Sequence, residues 1–255
     1  MPQAANPPSR RITMSKTIRF TIDDTECLAE DGKYVLDAAR DNGVYIPSLC
    51  YMRGYKPRGG CRICTVMVNG RPMAACTTPV TNGMKINNDT AELTDIRKAI
   101  IELMFVEGNH LCPSCVKSGN CALQALAYRF QISAPRFPYQ FPVREIDASS
   151  PKLLLDLNRC INCRRCIRAV TAPDGKLIFG AKRRGHRISV KIDAELGQEL
   201  TDEQAAFAMQ VCPVGSIQVK GKGYTLPIGL RRFDPGPVGL ERDASHIPTN
   251  GEGKP

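Results

Sequence analysis

The chain contains no run of eighteen apolar residues, the length that a membrane-spanning helix needs. Its first fourteen residues, MPQAANPPSRRITM, hold prolines and an arginine pair but lack the apolar segment of a secretory signal. A twin-arginine export signal at Arg10-Arg11 is the alternative, and it is disfavoured because no hydrophobic segment follows. We therefore expect a soluble protein of the reducing cytoplasm, with no insertion into a membrane.

The sequence also lacks the motifs of nucleotide binding and of common catalysis. No Gly-x-Gly-x-x-Gly follows a predicted strand, and there is no Walker loop and no recognisable Ser/His/Asp set or carboxylate pair. The basic residues are not interleaved with aromatic residues, which argues against nucleic-acid binding. We expect neither a catalytic residue nor a nucleotide site on this chain.

The charge is positive, although less so than the formal value suggests. The net charge of +10 counts every cysteine as neutral, and iron-sulfur clusters with their thiolates would reduce it to about +5. The densest basic runs are Arg164-Arg165 with Arg168, Lys182-Arg183-Arg184 with Arg187, and Arg231-Arg232. Such runs are typical of a solvated surface that compensates anionic clusters, with docking to acidic partner subunits as the alternative.

Cysteine is abundant, and eleven of the twelve cysteines fall into three groups. When His110 is counted with the middle group, each group supplies four soft or borderline ligands. This count predicts three metal sites. The groups are Cys50, Cys61, Cys64 and Cys76; His110, Cys112, Cys115 and Cys121; and Cys160, Cys163, Cys166 and Cys212. The remaining cysteine, Cys27, lies in a predicted strand, where we expect a buried free thiol.

The first and third groups indicate iron-sulfur chemistry by their spacing. In the third group, two residues separate Cys160 from Cys163 and two separate Cys163 from Cys166, and the distant Cys212-Pro213 completes the set. This pattern is typical of a bacterial ferredoxin and predicts one 4Fe-4S cluster. The 45 residues between Cys166 and Cys212 contain no second triplet. In the first group Cys-x2-Cys occurs once, with partners ten and eleven residues away, which favours a 2Fe-2S cluster over a zinc site.

The middle group leaves alternatives open. Cys112, Cys115 and Cys121 supply three thiolates, and His110 is the nearest candidate for the fourth ligand of a 4Fe-4S cluster. The alternative for His110 is a helix-terminal histidine that only hydrogen-bonds to its neighbours. Zinc also fits a set of three cysteines and one histidine.

Hydrophobic periodicity and turn residues predict an α+β chain of three small domains. A helix is predicted over 93–107, with Thr94 or Asp95 as its cap and Ile96, Ile100, Leu103 and Val106 on one face. The predicted regions are a flexible N-terminus (1–15), a β-grasp 2Fe-2S ferredoxin domain (16–92), a small helical 4Fe-4S domain with a proline-rich connector (93–150), a bacterial-ferredoxin-like 4Fe-4S domain (151–220) and a tail that orders only against a partner (221–255).

Several stretches carry a family resemblance over about residues 16–232. They are Tyr45 to Tyr51 (YIPSLCY), Glu107 to Gln124 (EGNHLCPSCVKSGNCALQ), Arg136 to Tyr139 (RFPY), Arg159 to Cys166 (RCINCRRC) and Cys212 to Gly215 (CPVG). The chain resembles the N-terminal iron-sulfur regions of the complex I large subunit and of iron-only hydrogenases. It is most similar to the gamma diaphorase subunits of soluble NAD-reducing nickel-iron hydrogenases.

This resemblance implies a relay of single electrons between a flavin- and NAD-binding diaphorase subunit and the small and large nickel-iron hydrogenase subunits. FMN and NAD are then expected on the partner subunit, with one 2Fe-2S and two 4Fe-4S clusters on this chain. One departure is that His110 and Cys112 have one residue between them, where the complex I relatives have three. The alternatives are the same relay in an NAD-dependent formate dehydrogenase or a complex I-like oxidoreductase and, in a different class, a zinc-stapled scaffold.

Overall fold

The computed structural model describes residues 16–236 and residue 238. Alternating apolar residues in the first strand place Ile18, Phe20 and Ile22 in the core, as period-two patterning requires. The first region consists of β1 (Thr17–Ile22), β2 (Thr25–Glu30), α1 (Val35–Asp41), β3 (Thr65–Val68), β4 (Arg71–Ala74) and β5 (Lys85–Asn87). Its sheet has the order β2-β1-β5-β3-β4, with β1 and β5 parallel and the other pairs antiparallel.

The second region is helical, and the third combines short strands with two helices. The second contains α2 (Ala91–Val106), a 3-10 turn (Cys112–Ser114) and α3 (Ala122–Arg129). The third contains β6 (Ile146–Asp147), β7 (Leu153–Asp156), α4 (Arg165–Ala169), β8 (Phe179–Lys182), β9 (Ser189–Ile192), α5 (Asp202–Val211) and β10 (Ile217–Val219). The strand order is β10-β7-β6 in one small sheet, and β8 pairs with β9 in another. The predicted α+β class is confirmed, and the domain boundaries stay a prediction.

The start and the buried face of α2 differ from the prediction. Thr90 caps the helix by accepting a hydrogen bond from the N–H of Leu93, so the predicted cap at Thr94 or Asp95 is wrong. Leu93 and Ile101 are fully buried, whereas Leu103 is 39% exposed. The buried face of α2 differs from the predicted one because Arg97, which lies between Leu93 and Ile101, is a core residue. Its guanidinium donates hydrogen bonds to backbone carbonyls.

Two hydrophobic cores meet at the first cysteine loop. One core fills the space between the first sheet and α1, and the other joins α2 and α3 to the third region. Leu49 and Ile63, which flank Cys50 and Cys64 in sequence, belong to the second core. The first cysteine loop is therefore held between the first sheet and the rest of the chain.

The described part of the predicted tail packs against its own chain. The N–H of Phe233 donates to the carbonyl of Gly119 (3.0 Å), and Arg129 donates to the carbonyl of Val238 (2.6 Å). Val238 is buried in the second core. The expectation that residues 221–255 order only against a partner stays a prediction, and residues 237 and 239–255 lie outside the described part.

Within residues 16–236, no helix combines the length and apolar character that crossing a membrane requires.

Replacing Arg97 with methionine should lower the free energy of unfolding by about 3 kcal/mol, because the carbonyls of Asn88 and Thr65 lose a charged donor while remaining buried. Arg97 is 4% exposed, so water cannot replace it. The measurement is anaerobic urea denaturation followed by circular dichroism. Lys98→Ala, one residue along the same helix, is the control and should change the unfolding free energy by about 0.5 kcal/mol or less. Equal effects of both substitutions would contradict the assigned role.

Candidate iron-sulfur centres

The first cysteine set lies on the loop before β3 and just after β4, and its thiols form two pairs. Cys50 interacts with Cys61, and Cys64 interacts with Cys76. Cys50, Cys64 and Cys76 are buried, and Cys61 is half-buried. Two pairs of sulfur ligands match the two irons of a 2Fe-2S cluster, each of which takes two protein ligands.

The backbone of this loop turns its N–H groups toward the sulfurs. Gly59 and Arg62 have positive φ angles of 66° and 62°, so the chain bends sharply between the cysteines. The Cys61 thiol, together with the N–H groups of Cys61 and Gly60, lowers the pKa of Cys50 to about 5. Such N–H donors stabilise thiolates and tune a bound cluster. The sequence gives no signal for the positive φ angle of Arg62.

The middle set lines a single cavity. His110, Cys112, Cys115 and Cys121 all face this cavity, which Phe105 and Arg159 help to close. Gly215, from the Cys-Pro-Val-Gly stretch of the third region, also lines it. A Cβ atom on Gly215 would lie 2.3 Å from Sγ of Cys115, so only glycine fits there. The sequence indicated the four candidate ligands, whereas Gly215 is recognisable only from the fold.

The environment of His110 suits a neutral metal-ligating imidazole. Burial lowers the pKa of His110 to about 4, so the ring is neutral at physiological pH. It also hydrogen-bonds to the backbone of Met104 and makes an edge-on contact with Phe105, with ring centroids 5.3 Å apart. A second ring nitrogen held by backbone is the usual arrangement for a histidine that binds metal through the first.

The third set lines another cavity, formed by the loop before α4 and by the residue after α5. Cys160, Cys163, Cys166 and Cys212 all face it. Burial raises the pKa of Cys163 to about 12 and also raises those of Cys160 and Cys166. Backbone N–H groups of Asn162, Arg165 and Ile167 donate to these three sulfurs and partly offset this effect. Iron binding would therefore have to displace protons from buried thiols.

The helix at this site begins near the end of the cysteine triplet. α4 starts at Arg165, one residue before Cys166. Asn162 and Arg164 have positive φ angles of 54° and 57°, which interrupt the helix among the first three ligands. The bends allow those three sulfurs to face one cavity, which a regular helix would not do.

The type and the grouping of the ligands suit iron-sulfur clusters. A zinc ion draws its four ligands to about 2.0–2.3 Å, whereas a 4Fe-4S cluster spreads four ligands over four irons. The soft donor sets and the two four-ligand cavities therefore fit iron-sulfur clusters.

Buried cations surround the three sets. Arg165 is 3% exposed and Lys117 is 7% exposed, so the prediction of a solvated basic surface is wrong for Arg165. Arg159 lies 3.7 Å from Sγ of Cys115, and Arg144 donates to the carbonyl of Cys160. These positive charges offset the negative charge that thiolates and clusters would bring into the interior.

The third set lies next to both other sets. Toward the first set, Arg168 donates to the carbonyl of Cys50 (2.6 Å) and Arg58 donates to that of Asn162 (3.1 Å). Toward the middle set, the N–H of Ala122 donates to the carbonyl of Pro213 (2.8 Å). Lys117 interacts electrostatically with Cys212 of the third set and Cys121 of the middle set. The spatial order is therefore first, third, middle, which differs from the order in the sequence.

Three family models match the chain, and each covers one ligand set. The 2Fe-2S iron-sulfur cluster binding domain matches residues 15–91, the NADH-ubiquinone oxidoreductase-G iron-sulfur binding region matches 97–136, and the ferredoxin-like domain of NADH-quinone oxidoreductase subunit 3 matches 150–218. These matches confirm the prediction of iron-sulfur domains.

Two relatives match this chain over only part of their own length. The alpha subunit of the NADPH-Fe(3+) oxidoreductase of Geobacter sulfurreducens is 33% identical over 78% of this chain and 24% of its own length. A subunit of the NADH-quinone oxidoreductase of Rickettsia conorii is 32% identical over 80% of this chain and 30% of its own length. This chain therefore spans less than a third of these two relatives.

Other relatives match over nearly their whole length. A chain of a crystal structure of NAD+-reducing [NiFe]-hydrogenase in the H2-reduced state superposes with a TM-score of 0.80 and 39% identity, covering 88% of this chain and 98% of that one. In Cupriavidus necator, the gamma chain of the NAD-reducing hydrogenase HoxS is 45% identical over 86% of this chain and 94% of its own length. The chain therefore belongs to the family of gamma subunits of NAD-reducing hydrogenases.

Proposed function

We propose that this chain relays single electrons between a flavin- and NAD-binding diaphorase subunit and the nickel-iron hydrogenase subunits. In the complete complex, H2 and NAD+ would give NADH and H+, and two electrons would pass through this chain one at a time. Bound iron-sulfur clusters would exchange one electron at a time, whereas NAD exchanges a hydride. A flavin is therefore needed to pass electrons between NAD and the clusters. We place this assembly in the cytoplasm.

The observation that carries the proposal is the contact of the third ligand set with both other sets. Arg168 ties the third region to the loop of Cys50, and Gly215 lies against Sγ of Cys115. Three independent domains, each stabilised by its own metal, would not need ligand loops that lie next to one another. An electron relay needs them, because an electron has to pass between adjacent centres.

We assign the ligands of the first set by its two thiol pairs and those of the other two sets by the cavity that each set lines. Each set supplies four sulfur or imidazole donors, and these residues hold the clusters while the chain's other side chains exclude water. The 2Fe-2S cluster is assigned to Cys50, Cys61, Cys64 and Cys76; one 4Fe-4S cluster to His110, Cys112, Cys115 and Cys121; and the second to Cys160, Cys163, Cys166 and Cys212.

The fourth ligand of the middle set influences its potential. His110 is neutral, so this set contributes one negative charge fewer than a set of four thiolates. Fewer negative charges around a centre make its reduction more favourable. Of the two 4Fe-4S centres, we therefore expect the middle one to have the higher potential, other influences being equal.

Replacing Cys160 with serine should abolish one 4Fe-4S signal and the reduction of NAD+ by H2, because the third set links the other two. Activity of the flavin subunit with NADH and an artificial dye should remain, since that reaction does not cross this chain. Electron paramagnetic resonance and the two assays on the assembled complex provide the measurements.

The matched control for this substitution is Cys27→Ser, which removes the buried cysteine outside the three sets. It should leave all cluster signals in place. Hydrogen-driven NAD+ reduction that survives Cys160→Ser would contradict the relay, and parallel loss of both activities would indicate misfolding of the assembly instead.

Replacing His110 with alanine should alter or abolish only the middle 4Fe-4S signal. Replacing it with cysteine should keep that cluster and lower its reduction potential, because a thiolate adds a negative charge where the imidazole had none. Redox titration followed by electron paramagnetic resonance measures both effects. His186→Ala, at an exposed position, is the control. An unchanged middle signal in His110→Ala would assign the fourth ligand to another group.

A further inference from the structure

Arg165 lies between two ligands of the third set and reaches the first set as well. It is the first residue of α4 and is almost completely buried. Its guanidinium interacts electrostatically with the thiols of Cys163 and Cys212 from the third set and with those of Cys50 and Cys61 from the first. One buried positive charge is therefore shared by two neighbouring ligand sets.

Two donor atoms of Arg165 lack a partner within the described part of the chain. Nε and Nη2 are buried and have no hydrogen-bond partner among the described residues, and no other described arginine has two such atoms. Leaving two buried N–H donors unpaired is costly, because each has lost its hydrogen bonds to water without gaining a partner in the protein. An arginine that served only to hold the fold together would direct these groups at carbonyl oxygens.

Arg168, three residues further along α4, provides the contrast. Its Nη1 and Nη2 atoms donate to the backbone carbonyls of Lys56 (2.8 Å) and Cys50 (2.6 Å), and its Nε donates to that of Arg164 (3.1 Å). Arg168 thus has the contacts of a structural cross-link. Arg165, whose main electrostatic neighbours are cysteine thiols, does not.

We propose that Arg165 is a tuning residue for electron transfer, which raises the reduction potentials of the 2Fe-2S centre and the third-set 4Fe-4S centre together. Its positive charge favours the additional negative charge that either centre gains on reduction, and its unpaired N–H groups would be available to donate to the sulfur of a bound cluster. The shared cation also weakens the repulsion between the two centres when both are reduced. This inference rests on the proposed ligand sets.

The test compares Arg165→Met, which removes the charge, with Arg165→Lys, which keeps it, in the complete complex. Methionine is suitable because a buried charge can often be replaced by an apolar side chain of similar volume without loss of folding. Arg187→Gln removes an exposed cation from the same region and is the matched control. Iron content and the presence of all three signals are checked first, which tests the proposed function separately.

Redox titration followed by electron paramagnetic resonance gives the decisive values. At a fixed potential, Arg165→Met should lower the ratio of reduced to oxidised protein at least about tenfold at both centres, equivalent to about 59 mV for a one-electron couple. The middle centre, identified by its response to His110→Cys, should change less. Arg165→Lys should stay within about threefold of the unaltered protein, as should Arg187→Gln. A loaded Arg165→Met protein with both potentials unchanged, or with only one lowered, would overturn the proposal.

A second measurement detects Arg165 itself and does not depend on the uncharged variant Arg165→Met. Protein labelled with ¹⁵N-arginine should show a nitrogen hyperfine coupling at the reduced first or third centre, and Arg165→Lys should remove it. A reduced protein without any such coupling at either centre would overturn the assignment of Arg165 as a donor to cluster sulfur.

Discussion

The structure depends on one constraint, which is that many negatively charged groups have to be buried close to one another. Twelve candidate ligands, eleven of them thiols, are brought into the interior of one chain, and thiolates with clusters are anionic. The chain responds with buried cations such as Arg165 and Lys117 and with backbone N–H groups aimed at sulfur. Positive φ angles at Arg62, Asn162 and Arg164 are a local cost of aiming those groups.

The spatial order of the ligand sets gives this chain its function. The third set, last in the sequence, lies between the other two, and Arg168 and Lys117 link it to one neighbour each. The two hydrophobic cores meet at the first cysteine loop, so the relative positions of the sets are fixed by packing as well as by hydrogen bonds. A fixed arrangement of neighbouring centres suits an electron relay, in which the protein binds the clusters and sets their environment.

Much of the site could be predicted from the sequence because metal ligation restricts residue type and spacing. The three cysteine groups and the α+β class were predicted, and two of the groups each line one cavity. Long-range features were missed. Arg97 appeared as one more polar helix residue, and Arg165 as part of a basic surface, because their burial depends on carbonyls and thiols far away in the sequence. Gly215 was part of a recognised motif, but its contact with Cys115 exists only in the fold.

The central claim is that the three ligand sets hold iron-sulfur clusters. The most direct measurement is the content of iron, acid-labile sulfide and zinc per purified chain, with electron paramagnetic resonance of the dithionite-reduced protein. If the sets hold these clusters, the chain should contain about ten irons and show one 2Fe-2S and two 4Fe-4S signals. Two or three zinc ions per chain with little sulfide would contradict it and would make the chain a zinc-stapled interaction protein.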